Sequence, residues 1–143
     1  MRPCKQQGLF LKGNEMIVEI GSDTFECEVL EAEMPVVVDV WAPWCGPCRI
    51  QAPIFAEAAQ QFAGEALFVK LNADENQDLV RRYKIMGIPT MLFFRHGRLV
   101  ERKTGVQSKE AIAKRLEPLL TMLPEQAEKQ EITGLFRWPF RRR

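Results

Sequence analysis

Two cysteines stand three residues apart in Trp41-Ala-Pro-Trp-Cys45-Gly-Pro-Cys48, where a Val-rich run gives way to a segment rich in Ala, Gln and Glu. That pattern predicts a buried strand passing into a helix, with Cys45 at the helix N-terminus. A thiolate there is stabilised by unpaired backbone N–H groups and by the positive end of the helix dipole. Cys48 follows one turn later on the same face, within reach of Cys45. The chemistry this permits is thiol–disulfide exchange. Cys45 attacks a disulfide, and Cys48 then attacks Cys45 in the mixed disulfide and expels the second thiol. Such a pair is also half of a zinc site, but zinc needs four ligands and the chain has no second pair. The other cysteines, Cys4 and Cys27, are isolated in sequence and read as inert thiols, with a regulatory or metal role as the alternative.

Two ionisable residues interrupt apolar runs. Asp39 stands in Val36-Val37-Val38-Asp39-Val40, and Lys70 in Leu67-Phe68-Val69-Lys70-Leu71. Desolvation raises the pKa of a carboxyl in such a strand, so that it exchanges protons near neutrality. If the two strands are neighbours, Asp39 can take the proton of Cys48 while Lys70 tunes it. The alternative places both side chains at strand ends, facing water. Gly87-Ile88-Pro89-Thr90 precedes another strand. Pro89 there is either an ordinary strand-initiating proline or a cis proline holding a tight turn.

The elements that must position these groups are legible as an alternation. Asp23 with Glu26 forms a capping box for a short helix running to about Glu33, with Phe25, Val29 and Leu30 on one face. A strand to Trp41 follows, then a long helix from Pro47 to Ala63, kinked at Pro53 and stopped by Gly64. Leu67 to Leu71 is a second buried strand, and Asn76 caps a helix bearing Leu79, Val80 and Tyr83. Met91–Phe94 and Leu99–Thr104 flank the turn Arg95-His96-Gly97-Arg98 as a hairpin, which makes the sheet mixed. Ser108 caps a last helix carrying Ile112, Leu116, Leu119 and Leu120, which Pro118 is expected to kink or end early. The domain then spans residues 21–121. A leader, 1–20, can add an edge strand at Met16–Ile20, and a tail, 122–143, looks unable to join the core.

Composition is consistent with one globular domain. The chain has 143 residues, 46% hydrophobic and 27% charged, with a formal net charge of +1 that gives no reason to expect a nucleic-acid partner. The run Leu9-Phe10-Leu11 is too short for the core of a secretion signal, and no apolar stretch approaches the roughly 20 residues that span a bilayer. The expected location is the cytoplasm, where four cysteines suggest catalysis, metal binding or burial rather than structural bridges. The tail ends in Gly134-Leu-Phe-Arg-Trp-Pro-Phe-Arg-Arg-Arg143, arginines and aromatics without an acid. It reads as a flexible solubilising end, with docking on an anionic membrane surface or an acidic partner as the alternative.

Together these residues resemble the thioredoxin family. Val38-Asp39-Val40-Trp41-Ala-Pro-Trp44-Cys-Gly-Pro-Cys48, Pro53, Lys70-Leu-Asn-Ala-Asp74, Gly87-Ile-Pro-Thr90 and Gly105 appear in that family's order and spacing, between about Gly21 and Leu120. The resemblance implies the α/β thioredoxin fold, a central mixed sheet flanked by helices on both faces. It implies Pro89 in cis beside Cys45, an Asp39 and Lys70 pair beneath the dithiol, and a redox-active Cys45–Cys48 disulfide with no bound cofactor or metal. Trp44, Gly46, Pro47, Gly87, Ile88, Pro89 and Gly105 would line a flat surface receiving an extended substrate peptide. Gly-Pro between the cysteines is similar to the reducing members of the superfamily. The implied partners are disulfide-containing client proteins and a recharging thioredoxin reductase, NADPH-dependent or ferredoxin-linked, acting on a monomer. A partner-specific redox protein and a non-catalytic binding subunit, each docked through the leader or tail, are the competing functions.

Overall fold

The computed structural model describes residues 17–133, which form five strands and five helices. The chain alternates in the way its apolar periodicity requires. Strand β1 (Ile17–Ile20) leads into α1 (Ser22–Phe25), which continues as a π-helical turn over Glu26–Leu30. Strand β2 (Val36–Trp41) passes into α2 (Gly46–Gln61), and β3 (Leu67–Asn72) into α3 (Gln77–Arg82). The hairpin β4 (Thr90–Arg95) and β5 (Arg98–Thr104) precedes α4 (Lys109–Leu120) and α5 (Pro124–Gln130).

The strands lie in the order β1-β3-β2-β4-β5. β1, β3 and β2 run parallel, while β4 and β5 run antiparallel, giving the expected mixed sheet. Because side chains alternate across a strand, β2 serves two cores. Val36, Val38 and Val40 pack with Phe25, Val29, Leu79 and Phe94 on the face of α1 and α3. Val37 packs with Phe55, Phe68, Phe93, Ile112 and Leu116 on the face of α2 and α4. Edge-to-face aromatic pairs key both layers, Phe25 on Phe94 at 5.6 Å and Phe55 on Phe68 at 5.1 Å.

Local departures from the sequence reading have identifiable causes. The first helix is capped two residues earlier than predicted, with the Gly21 N–H donating to Thr24 Oγ1 at 3.1 Å. Asn76 sits at the N-cap of α3, but its side chain does not bond that helix. It accepts from the Ser22 N–H at 2.8 Å and donates to the Asn72 carbonyl, tying α1 to the end of β3. Pro118 neither ends nor shortens α4, which runs on to Leu120. A proline this close to the C-terminus removes a single backbone bond, and Leu116 and Leu119 are held in the core on either side of it.

Residues 122–133, expected in a tail outside the core, instead join it. Met122 and the fully buried Ala127 of α5 belong to the apolar cluster under α2 and α4. The Ile132 N–H donates to the Leu99 carbonyl on β5 at 2.7 Å, and Arg98 pairs with Glu131 at 2.6 Å. The periodicity of this stretch is weak because Met122, Ala127 and Ile132, its apolar contacts with the two cores, are widely spaced. Gly134–Arg143 and Cys4 lie outside the described residues, as do the alternatives raised for them. Cys27 is not the free thiol expected of it.

The β4–β5 turn confirms its predicted chemistry. His96 and Gly97 both take positive φ, 55° and 78°, as a two-residue hairpin loop demands. A Cβ on Gly97 would also stand 2.9 Å from the Leu30 carbonyl oxygen. Gly97→Ala is therefore expected to destabilise the fold by about 2 kcal/mol. Urea unfolding should show this as a lower midpoint with an unchanged slope.

Candidate functional site

Strand β2 ends at Trp41, and the Cys45 N–H donates back to the Ala42 carbonyl at 3.2 Å, so the chain turns tightly before α2 begins. Cys45 occupies the N-cap of α2 with extended φ and ψ, and Pro47 stands within the first two helical positions, where a missing N–H costs nothing. The Cys45 sulfur accepts the Cys48 backbone N–H at 3.2 Å. The two cysteines are joined in a disulfide with their Cα atoms 5.3 Å apart. Both are buried to nearly the same degree, so exposure does not distinguish them; position on the helix does. The Cys45 sulfur takes a helix-terminal N–H donor, whereas Cys48 lies inside the first turn. Ala42, Trp41 and Ile88 pack around the pair.

Beneath this turn three charged residues form a row across the sheet. Glu19 on β1 pairs in register with Lys70 on β3, which pairs with Asp39 on β2. Strand alternation puts all three on the face that α2 covers. Asp39 is 1% exposed, and its Oδ1 has no hydrogen-bond partner. Burial pushes its carboxyl up from 3.8 to about 6; the Lys70 charge opposes the rise and the Glu19 charge adds to it. Asp39 is therefore a buried acid poised near neutrality, not a residue facing water at a strand end. Among the described residues the ion pairs are Arg98–Glu131, Lys109–Glu57 and Arg115–Glu101. Lys70 thus acts on Asp39 as a neighbouring charge rather than a bonded partner. Its Nζ lies 5.0 Å over the Trp41 ring, whose Nε1 donates to Glu19 Oε2 at 3.1 Å.

Around the dithiol the structure gathers a low, largely apolar surface. Trp44 is 68% exposed, held by its Nε1–H bonds to Asp74 Oδ2 at 2.9 Å and Oδ1 at 3.2 Å. The Ile88–Pro89 peptide is cis. Gly105, at φ 98°, donates its N–H to the Pro89 carbonyl at 2.8 Å, so these two backbone segments meet. Thr90 bonds both the Gly87 carbonyl and the Thr104 hydroxyl, fixing the approach to Pro89. Gly46 and Pro47 are exposed beside Trp44, and Gly87 and Ile88 are half-buried.

Comparison with known proteins settles what this arrangement is. The family model described as thioredoxin matches residues 16–118. The chain belongs to the thioredoxin family. It is 43% identical over 99 residues to thioredoxin 1 of a Nostoc species, covering 69% of this chain and 92% of the relative. It is 44% identical over 100 residues to the thioredoxin of Pseudomonas aeruginosa, covering 70% and 93%. The M-type chloroplastic thioredoxin of Spinacia oleracea is 36% identical over 123 residues, covering 84% of this chain and 68% of the relative. Like other thioredoxins, the protein is a thiol–disulfide oxidoreductase that reduces protein disulfides, and its redox group is its own Cys45–Cys48 disulfide. No group of three or more metal-ligating side chains occurs among the described residues, and no described helix is long and apolar enough to cross a membrane.

Several features of the structure escaped the sequence reading. Asp74 was seen only as a landmark, yet it orients Trp44. Met86 at 82%, Ile50 at 59% and Val106 at 40% exposed carry uncovered apolar side chains. Gln51 was visible in principle: it falls on the buried stripe Cys48, Gln51, Phe55, Ala58 of α2, where a polar residue calls for a partner.

Proposed function

We propose that Cys45 is the attacking sulfur of this thioredoxin and Cys48 the resolving one. The observation that carries the assignment is the Cys48 N–H donated to the Cys45 sulfur at the α2 N-cap. In the reduced protein the same donor favours the Cys45 thiolate. That thiolate attacks a client disulfide, forming a Cys45–client bond and releasing the first client sulfur as a thiolate. Asp39 accepts the Cys48 proton, assisted by Lys70 as a nearby charge. The Cys48 thiolate then attacks the Cys45 sulfur, which closes the Cys45–Cys48 disulfide and frees the second client sulfur. Two electrons pass from the dithiol to the client.

Trp44, Gly46, Pro47, Gly87, Ile88, Pro89 and Gly105 form the surface that receives the client, in extended form against the backbone at Pro89 and Gly105. A thioredoxin reductase returns the oxidised protein to the dithiol, and the cytoplasm is its working compartment. Mass spectrometry after brief alkylation of the reduced protein near pH 7 tests the assignment. Cys45 is expected to be labelled at least about tenfold faster than Cys48; equal labelling, or faster labelling of Cys48, would reverse the roles.

A further inference from the structure

Gln51 is fully buried in α2, one turn beyond Cys48. Its side-chain Nε2 donates to the Gln107 carbonyl at 3.0 Å, and the Gln107 N–H donates to its Oε1 at 2.7 Å. One amide thus pairs with both main-chain groups of one residue, as a neighbouring strand would. The Gln107 side chain in turn donates to the Gly105 carbonyl at 3.2 Å, and the Gly105 N–H reaches the Pro89 carbonyl at 2.8 Å. A continuous set of bonds therefore runs from the helix carrying the dithiol to the two backbone segments beside it. The segment between β5 and α4 has no ladder of its own, so its buried backbone groups need such a partner. A leucine or methionine would fill the same stripe on α2 but could not hold this segment.

We propose that Gln51 is a positioning residue for client binding, its buried amide fixing the segment from Gly105 to Ser108 in register with the Cys45–Cys48 turn. The proposal rests on the reading of Gly105 and Pro89 as the client-receiving backbone. An extended client binds to that backbone, and a segment that is not already held in place must be ordered when the client arrives, at a cost in affinity. A small aromatic disulfide needs only the sulfur. Loss of the amide therefore acts on protein clients and spares small ones.

The test is steady-state reduction of a disulfide-linked protein and of a small aromatic disulfide by the full chain and by Gln51→Met, which keeps the length and loses both bonds. The expected result is a KM for the protein disulfide raised about tenfold, with kcat and the small-disulfide rate within about twofold of wild type. Gln107→Ala, which keeps the main-chain pairing and loses only the bond to Gly105, is expected to raise the same KM by about threefold, and it serves should Gln51→Met not fold. An unchanged KM, or parallel losses on both substrates, overturns the proposal. Val106→Asp, placed on the exposed surface itself, separates the two ideas. A raised KM in Val106→Asp with none in Gln51→Met sinks the positioning role alone, and no rise in either sinks the client surface with it.

Discussion

Cys48→Ser is expected to accumulate as a covalent adduct with its client, while Cys45→Ser forms none. With serine at position 48 the first exchange proceeds, because Cys45 keeps its N-cap position and the residue-48 backbone N–H that its sulfur accepts. The second cannot, since a hydroxyl is far less acidic than a thiol and does not displace a sulfur at neutral pH. Non-reducing electrophoresis should show the adduct at one-to-one stoichiometry. Reductant-coupled turnover should fall at least about a thousandfold in both variants, the scale on which loss of a covalent nucleophile is felt. Substantial turnover by Cys45→Ser would mean that Cys48 can start the exchange itself, and the mechanism above would fail.

Asp39→Asn separates catalysis from stability. Burial pushes this carboxyl up to about 6 in the fold, from an ordinary value of 3.8. The folded state therefore holds this proton more tightly than the unfolded state does. Its favourable contribution is complete below pH 4 and is lost as pH rises through about 6, where charging a desolvated carboxyl opposes folding. Asparagine avoids that charge, so the variant should be more stable than wild type by about 3 kcal/mol above pH 7. The difference should vanish near pH 4. Denaturant titrations at the two pH values check it. Turnover is expected to move the other way. Without an acceptor for the Cys48 proton, resolution of the mixed disulfide should slow on the order of a hundredfold, and the rate should lose its dependence on a group titrating near pH 6. Equal stability at pH 7 would show that burial does not raise the Asp39 carboxyl above its unfolded value; an unchanged rate would remove it from proton transfer.

Much of this was legible because the signals are local. The valine run around Asp39, the Ser108 cap of α4 and the glycine turn at Gly97 each state their structure within a few residues. Asp39 and Lys70 could be paired only conditionally, since the alternation of apolar residues gives the face of a strand but not its neighbour. Gln51 and Gln107 are 56 positions apart, and nothing near either residue names the other. The same limit hid Trp44 from Asp74 and Trp41 from Glu19. Residues 122–133 were misjudged for a related reason. Ala127 is too small to mark a core position by its hydrophobicity, and the main-chain bond to Leu99 that helps hold the segment leaves no trace in residue type. Asp39 could be singled out from the sequence because burying a carboxyl in an apolar strand is costly enough to require a reason.

The docking of residues 131–133 beside β5 also bears on which backbone a client can recruit. A sheet that ends in an open strand offers unpaired N–H and C=O groups to any extended chain that drifts against it, and unfolded polypeptides reach such edges as readily as native ones do. Proteins with mispaired disulfides are often partly unfolded, so a reductase meets many chains able to add themselves as an extra strand. At Leu99 that opportunity is already taken by Ile132, with the Arg98–Glu131 pair beside it. That position is thereby closed to strand addition, and on the client surface proposed above the short backbone at Pro89 stays free to receive an extended chain.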